Sequence, residues 1–546
     1  MKAIIKTLRL IMMCSLLTFA LGCSKDDNEP DPGNGQIEEV NGIAAEDLDN
    51  YGGDLGLLIN TRDLVKKGYN PTKVNVTTTA TQGNYDQELE VDAYTNIAQL
   101  KLAVDDLSEA ATEELRDGVG LTIEVLDASD TVLISESYSV ISFEENGNNF
   151  EIDASALEYQ DQEFHFKENM RYYLQLVDAN GNYSNKLVAS YGGNGWLRYR
   201  ESLSFNPGTT SEQFYILNDP NNPDLFSLYS ANNDAYIFIG ANETSLPRTL
   251  RRSASTFYPD WQPENLSDSW KFRLQKESNG LYTIWSEVAN KPLRSFVNSS
   301  NDFTINWQAT DSGSIQYFRI IAIDIDWDGT DLNTEYLPPI LPRVNTSFGF
   351  NSTLRNCGSG SLEQQVGFES SVTTTYTIGF QETIGLSSRT VAGVSASVSA
   401  TAEASYFGVS GSVTAEVSAN LELAVEATTE STETVTESTT ENNSFFSNRT
   451  VTVPSGSASL VYDAYQTYSD VKVPYVKRIR LKGLHTGSSE SLTGNEIATQ
   501  LAMTNFSGVV TNIGSDFVEI TIRGNMTLDN IVDTQTEVRD VAANCN

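Results

Sequence analysis

The sequence predicts a mainly β protein assembled from several modules, and three observations carry that prediction. Residues 392–425 alternate apolar and polar side chains with period two, the signature of a strand, and change phase once. Short apolar runs between residues 45 and 188 are broken by turn signals, and between 190 and 340 an aromatic-rich run recurs three times. Charged residues are only 20% and aromatics 10%, with much Ser, Thr, Asn and Gly, a composition suited to extracellular β modules. The 546 residues leave room for about three or four domains. A formal charge of −38 repels nucleic-acid backbones and excludes that class of partner. The two histidines, His165 and His485, lie far apart in the chain. No Ser/His/Asp triad, His-rich zinc site or Gly-rich phosphate loop can be built, so the protein is not expected to be an enzyme.

Residues 1–22 combine a basic start (Lys2, Lys6, Arg9), an apolar run through Ile11 and Leu17, and Gly22 directly before Cys23. That is a secretory leader and not a membrane span. It resembles a bacterial lipoprotein signal, departing from the commonest pattern at Ala20 and Leu21, and the resemblance implies that Cys23 carries the lipid as the first mature residue. Ser24-Lys25-Asp26-Asp27 is similar to the tag that sends lipoproteins of Bacteroidetes to the outer face of the outer membrane. The implied location is therefore the outer membrane, lipid-anchored and surface-exposed. With Pro30, Pro32, Gly33 and Gly35 in their middle, residues 23–44 read as a flexible tether.

Residues 45–188 contain strand-like runs such as Leu121-Thr122-Ile123-Glu124-Val125 and Tyr172-Tyr173-Leu174-Gln175-Leu176-Val177, the latter followed by the hairpin signal Asn180-Gly181. A short helix is expected over residues 108–116. The block resembles an immunoglobulin-like or fibronectin-like sandwich without the internal disulfide of antibody domains. In residues 189–340 the recurring run starts at Phe214, Phe272 and Phe318. This repeat resembles the three lobes of a ricin-type β-trefoil, which implies a β-trefoil-like domain and glycan as a candidate receptor. The Gln-x-Trp signature of that family is absent. Asp324, Asp326, Asp328, Gly329 and Glu335 have the spacing of a calcium loop, although the preceding residues look like a strand and position nine is Leu332. Ca²⁺ on Asp324, Asp326, Asp328 and Glu335 is the only metal expected.

Residues 341–546 hold a long alternating strand (Val366, Phe368, Val372, Thr374, Tyr376, Ile378, Phe380), the period-two segment, a Thr/Glu-rich ladder over 428–437, and Val453-Pro454-Ser455-Gly456 before another strand. In the period-two segment the phase switch after Phe407-Gly408 is what a hairpin produces. If Tyr406 faces Val409 across the turn, Ala402 faces Val413, Val398 faces Val417 and Val394 faces Leu421. The apolar rows then share one face. Arms of about fourteen and seventeen residues reach roughly 46 and 56 Å, longer than the ~9–11 residues that a tilted membrane strand needs. Val394, Val398, Val413, Val417, Leu421 and Leu423 would face lipid, with Tyr406, Phe407 and Gly408 at the tip. Glu403, Glu416, Glu422 and Glu426 would face the lumen, where rings of carboxylates favour cations. The bland alternative is a long hairpin packed on a soluble domain, which is the state expected at rest.

This order of strand, hairpin, ladder and Val-Pro turn is similar to the aerolysin-type β-pore-forming proteins, in particular their epsilon-toxin and mosquitocidal-toxin branch. The resemblance implies an elongated β domain whose hairpin inserts into a target membrane after homo-oligomers form. Cysteine usage adds a link: Cys14 leaves with the leader and Cys23 would be lipidated, so Cys357 and Cys545 remain, and in an exported chain such a pair reads as a disulfide. Two functions compete: a pore-forming surface lipoprotein with an unknown receptor, and a non-lytic surface lipoprotein that binds glycans or another cell.

Overall fold

The computed structural model describes residues 38–44, 54–145, 148–190, 197–201, 209–232, 235–237, 268–297, 303–306, 314–338, 344–382, 384–386, 396–397, 420–421, 437–504 and 506–545. It is mainly β. Among the described residues no helix is long and apolar enough to cross a membrane.

Near the N-terminus, two sheets share one core. In the first, Asp54–Asn60 pairs with Ile97–Ala103 on one side and with Glu144–Glu145 and Asn148–Glu151 on the other. The second runs Gln87–Glu90, Pro71–Thr78, Val119–Asp127, Val132–Ile141. Period-two alternation places Leu100 and Leu102 inward while Gln99 and Lys101 stay exposed. Leu55, Leu57, Ile59 and Leu100 from one sheet meet Val74, Leu121 and Ile123 from the other. Each such side chain contributes about 1.5–3 kcal/mol on burial. The expected helix spans Glu109–Asp117: the Ser108 side chain caps it by accepting from Ala111 N, and Gly118 ends it at φ 115°.

Six strands then close into a barrel: Arg171–Val177, Gln213–Asp219, Asn222–Ser230, Phe272–Lys276, Tyr282–Ser286 and Tyr317–Ala322. The three recurring phenylalanines, Phe214, Phe272 and Phe318, lie on three of these strands and are buried in one core. The boundary expected near residue 189 is corrected by this closure. Arg171–Val177 pairs on one side with Gln213–Asp219 and on the other with Tyr317–Ala322, so the strand assigned to the sandwich is the one that shuts the barrel. Its Asn180-Gly181 turn does form a hairpin, to Tyr183–Ser190, with Asp178 accepting from the amides of Asn180 and Asn182 and Gly181 at φ 88°.

The C-terminal unit begins earlier than residue 341, because Ile325–Tyr336 pairs along its length with Val471–His485. That sheet continues through Val518–Asp529 and Leu362–Phe380 to Glu437–Val453. A second sheet runs Glu38–Asn41, Val344–Asn356, Ser457–Tyr468, Ile531–Val541. Residues 38–44 are thus not part of a free tether. They add a strand to Val344–Asn356, and the Asn351 side chain bonds both Ile43 N (2.8 Å) and Ile43 O (2.7 Å).

The calcium expectation is overturned. Asp326, Asp328 and Glu335 sit on an extended strand, not a loop, opposite Leu484, Lys482 and Val476. At ~3.3 Å per residue, Asp328 and Glu335 are roughly 20 Å apart. The Asp324 carboxylate instead takes two 2.7 Å bonds from Arg171. Among the described residues no cluster of three or more His, Cys, Asp or Glu could hold a metal ion.

Candidate functional site: the hairpin and its base

Leu362–Phe380 and Glu437–Val453 pair antiparallel from Leu362↔Val453 to Ile378↔Glu437. The chain therefore leaves this ladder at Ile378, stays paired with Val518–Asp529 as far as Phe380, and returns to the ladder at Glu437, and the amphipathic segment lies in the excursion between. Inside it, Ala396 is opposite Leu421 and Ser397 opposite Asn420, antiparallel. The pairing of Val394 with Leu421 is corrected by two residues. A shift of two preserves parity, so even-numbered residues of the first arm still meet odd-numbered residues of the second. Val394, Val398, Val413, Val417, Leu423, the tip Tyr406-Phe407-Gly408, and Glu403, Glu416, Glu422 and Glu426 lie outside the described residues, as does Cys23.

The base of the excursion is fixed by a charge cluster and two apolar anchors. Ile384 and Leu386 are buried in the main core. Glu382, 4% exposed, accepts from Arg62 Nη2 at 2.7 Å and Arg523 N at 2.9 Å through one oxygen. Its other oxygen accepts from Lys66 Nζ at 3.0 Å and Arg523 Nε at 3.1 Å. Arg62 and Lys66 reach it together because they are four residues apart on the short helix Arg62–Lys66, hence on one face. Arg62, 1% exposed, also donates to the side chain and carbonyl of Thr521, both at 2.8 Å. Burial pushes the Glu382 carboxyl up, but the charges of Arg62, Lys66 and Arg523 outweigh it and hold the group below the usual carboxylate range. Burial lowers the Arg62 guanidinium, with Glu382 opposing.

No local pattern points to this cluster. Arg62 and Glu382 are 320 residues apart in sequence, and each reads as an ordinary surface charge. The one available signal is a lone acid, Glu382, directly after a long apolar-alternating strand.

At the far end of the same region, Cys357 and Cys545 are joined, with Sγ–Sγ 2.02 Å. The turn expected at Val453-Pro454 sits beside it: Gly456, at φ 71°, donates to Asn356 O at 2.8 Å, and Ser455 Oγ to Gly358 O at 2.5 Å.

No protein-family model matches the chain, and no curated protein matches it. Among solved structures it is similar to Cry35Ab1, at 12% identity over 66% of this chain and 90% of that one, with TM-score 0.20. It is similar to the parasporin-2 toxin of Bacillus thuringiensis, which recognises cancer cells, at 13% identity over 46% and 87%, TM-score 0.17. A lectin of Polyporus squamosus, solved with a sialylated influenza-binding epitope, matches 32% of this chain at 13% identity and TM-score 0.22, and the chain spans about half (52%) of that lectin's length.

Proposed function

We propose that the protein is a surface lipoprotein that binds a target membrane, assembles with copies of itself and inserts the 392–425 hairpin as part of a β-barrel pore. One observation carries the reading: a segment with a lipid-compatible period-two pattern is an excursion from a long two-stranded ladder, held at its base by a breakable charge cluster. Continued in its own register, this ladder would set Val394 opposite Leu421, so extending the strands into the hairpin shifts the resting Ala396–Leu421 pairing by two residues and keeps the same faces together. Under this reading Cys23 carries the anchor at the outer face of the outer membrane. The immunoglobulin-like sandwich is a spacer, and the trefoil-like barrel selects the target.

Two variants test it together. Cys23→Ser should move the protein from the membrane fraction to the medium, supplying a soluble form for dye release from liposomes made of target-membrane lipid. In that form Val398→Arg with Val417→Arg should abolish release, since each costs ~2–4 kcal/mol per subunit near the bilayer midplane while the soluble fold is kept. Unchanged fractionation of Cys23→Ser sinks the anchor. Persistent release by the folded double variant sinks the hairpin, and no release by the unmodified soluble form leaves a non-lytic binding lipoprotein.

A further inference from the structure

Where the sandwich, the barrel and the C-terminal unit meet there is a cleft of about 500 Å³, within the size range of small-molecule sites. Its lining carries Lys66, Lys67, Lys276 and Arg319 against Asp63 and Asp161, a positive balance in a chain whose formal charge is −38. Asp63 accepts from Ala154 N at 3.1 Å, and Asp161 is exposed. Lys66 is already taken by Glu382 at 3.0 Å. The remaining three cations have no carboxylate partner among the described residues. Lys67, 7% exposed, gives one bond to Leu157 O at 2.6 Å. Arg319, 5% exposed, lies 3.7 Å over the Tyr183 ring and donates to Gln175.

Lys276 is the least satisfied. Its Nζ stands 4.0 Å over the Tyr159 ring and 5.6 Å from that of Tyr282, while Lys67 Nζ is 5.1 Å from the same Tyr159 ring. Two ammonium groups therefore share one aromatic platform with no anion between them. Lys276 is half-buried, and a cation over an aromatic face gains about 0.5–2 kcal/mol, which leaves its charge only partly compensated. Burial, with Lys67 adding to it, pushes Lys276 down to about 8.

We propose that this cleft binds a sugar-sized ligand bearing a phosphate or sulfate group, with the oxyanion between Lys67 and Lys276 and the body of the ligand on Tyr159 and the apolar wall of Leu281 and Leu501. Lysine ammoniums act as point charges and suit a tetrahedral oxyanion, whereas Arg319, whose guanidinium is already stacked and bonded, sets the field behind it. The site is independent of whether the hairpin inserts.

Titration calorimetry of the full soluble chain at pH 8, with glucose 6-phosphate, glucose 6-sulfate, glucose, inorganic phosphate and vesicles containing phosphatidic acid, tests it. The two esters or the vesicles should give heat at millimolar concentration and glucose none. Soluble esters binding alone mark a free sugar ester as the source, and vesicles binding alone mark a lipid headgroup. Binding should take up protons, seen as a dependence of the heat on buffer ionisation enthalpy, and weaken as pH rises above 8, because only protonated Lys276 attracts the anion. The groups facing Lys276 are Lys67, Tyr159 and Tyr282, with Tyr183 and Asp63 beyond, and burial raises all three phenols away from that range. Lys276→Met should weaken binding ~10-fold or more and abolish proton uptake, with Lys276→Arg retaining binding. No heat with any ester or vesicle, equal heat with glucose, or proton uptake unchanged in Lys276→Met overturns the proposal. If Lys276→Met does not fold, the pH dependence of the unmodified protein decides in the same way.

Discussion

Replacing Glu382 by Gln leaves Arg62 buried with no full counter-charge, the circumstance in which removing one partner of a buried pair costs about 3–5 kcal/mol. Glu382→Gln should therefore lower the urea midpoint of the C-terminal unit well beyond what a surface charge change does, since such changes usually stay within about 0.5 kcal/mol. The pH dependence has a definite sign. The folded Glu382 carboxyl lies below its unfolded value of about 4.3, so its stabilisation is complete above that value and is lost as pH falls through the lower folded value. Unfolding followed by fluorescence from pH 6 downward should show this acid limb in the unmodified protein and lose part of it in Glu382→Gln. An identical limb in both would mean that Glu382 does not hold the base. Because Ile384 and Leu386 follow directly, the same change should also loosen the start of the hairpin.

At the scale of elements, the register inside the hairpin is directly testable. Ala396→Cys with Leu421→Cys should form a disulfide under mild oxidation, since facing residues on antiparallel strands lie within reach of one, whereas Val394→Cys with Leu421→Cys should form it poorly. Reversed yields would restore the register read from the sequence, and equal yields would show that neither register is fixed. The two-residue error has a physical origin: a period-two pattern is unchanged by a shift of two, so alternation determines which faces meet but not which residues. The strand Leu362–Phe380 was legible because its alternation is a local signal, and the helix Glu109–Asp117 lies within one residue of the span expected for it. The strand Arg171–Val177 was legible as a strand and misplaced as to sheet, for the two partners that close the barrel lie about 40 and 145 residues away and nothing within it names them. Asp324, Asp326 and Asp328 misled because a loop motif and an alternating strand place acids at the same spacing, and the strand pairing with Val471–His485 won. The clustering on Glu382 left only that one faint trace in the sequence, since it joins the helix Arg62–Lys66, the strand Val518–Asp529 and the residues after Phe380 across hundreds of positions.

Across the whole molecule, long-range side chains bind the units to one another. Arg523 reaches Glu151 of the sandwich at 2.9 Å, Arg478 lies 3.7 Å over the Tyr94 ring, and Val476 packs with Leu58 and Ile97. Ala322 N of the barrel donates to Gln500 of the helix Gly494–Ala502 at 3.1 Å. The Cys357–Cys545 bond adds a covalent closure over a sequence separation of 188, worth about 5 kcal/mol in the chain-entropy model. It also decides what a proteolytic nick can do. A single backbone cut anywhere in residues 387–436 falls inside the covalent ring, so the two polypeptides it creates remain one molecule. On a gel the nicked protein should migrate as an intact species until dithiothreitol is added, and then part into two bands. Separation without reductant would show the bond open. While the bond holds, both long strands keep their places through such a cut, and only the excursion between them gains free ends.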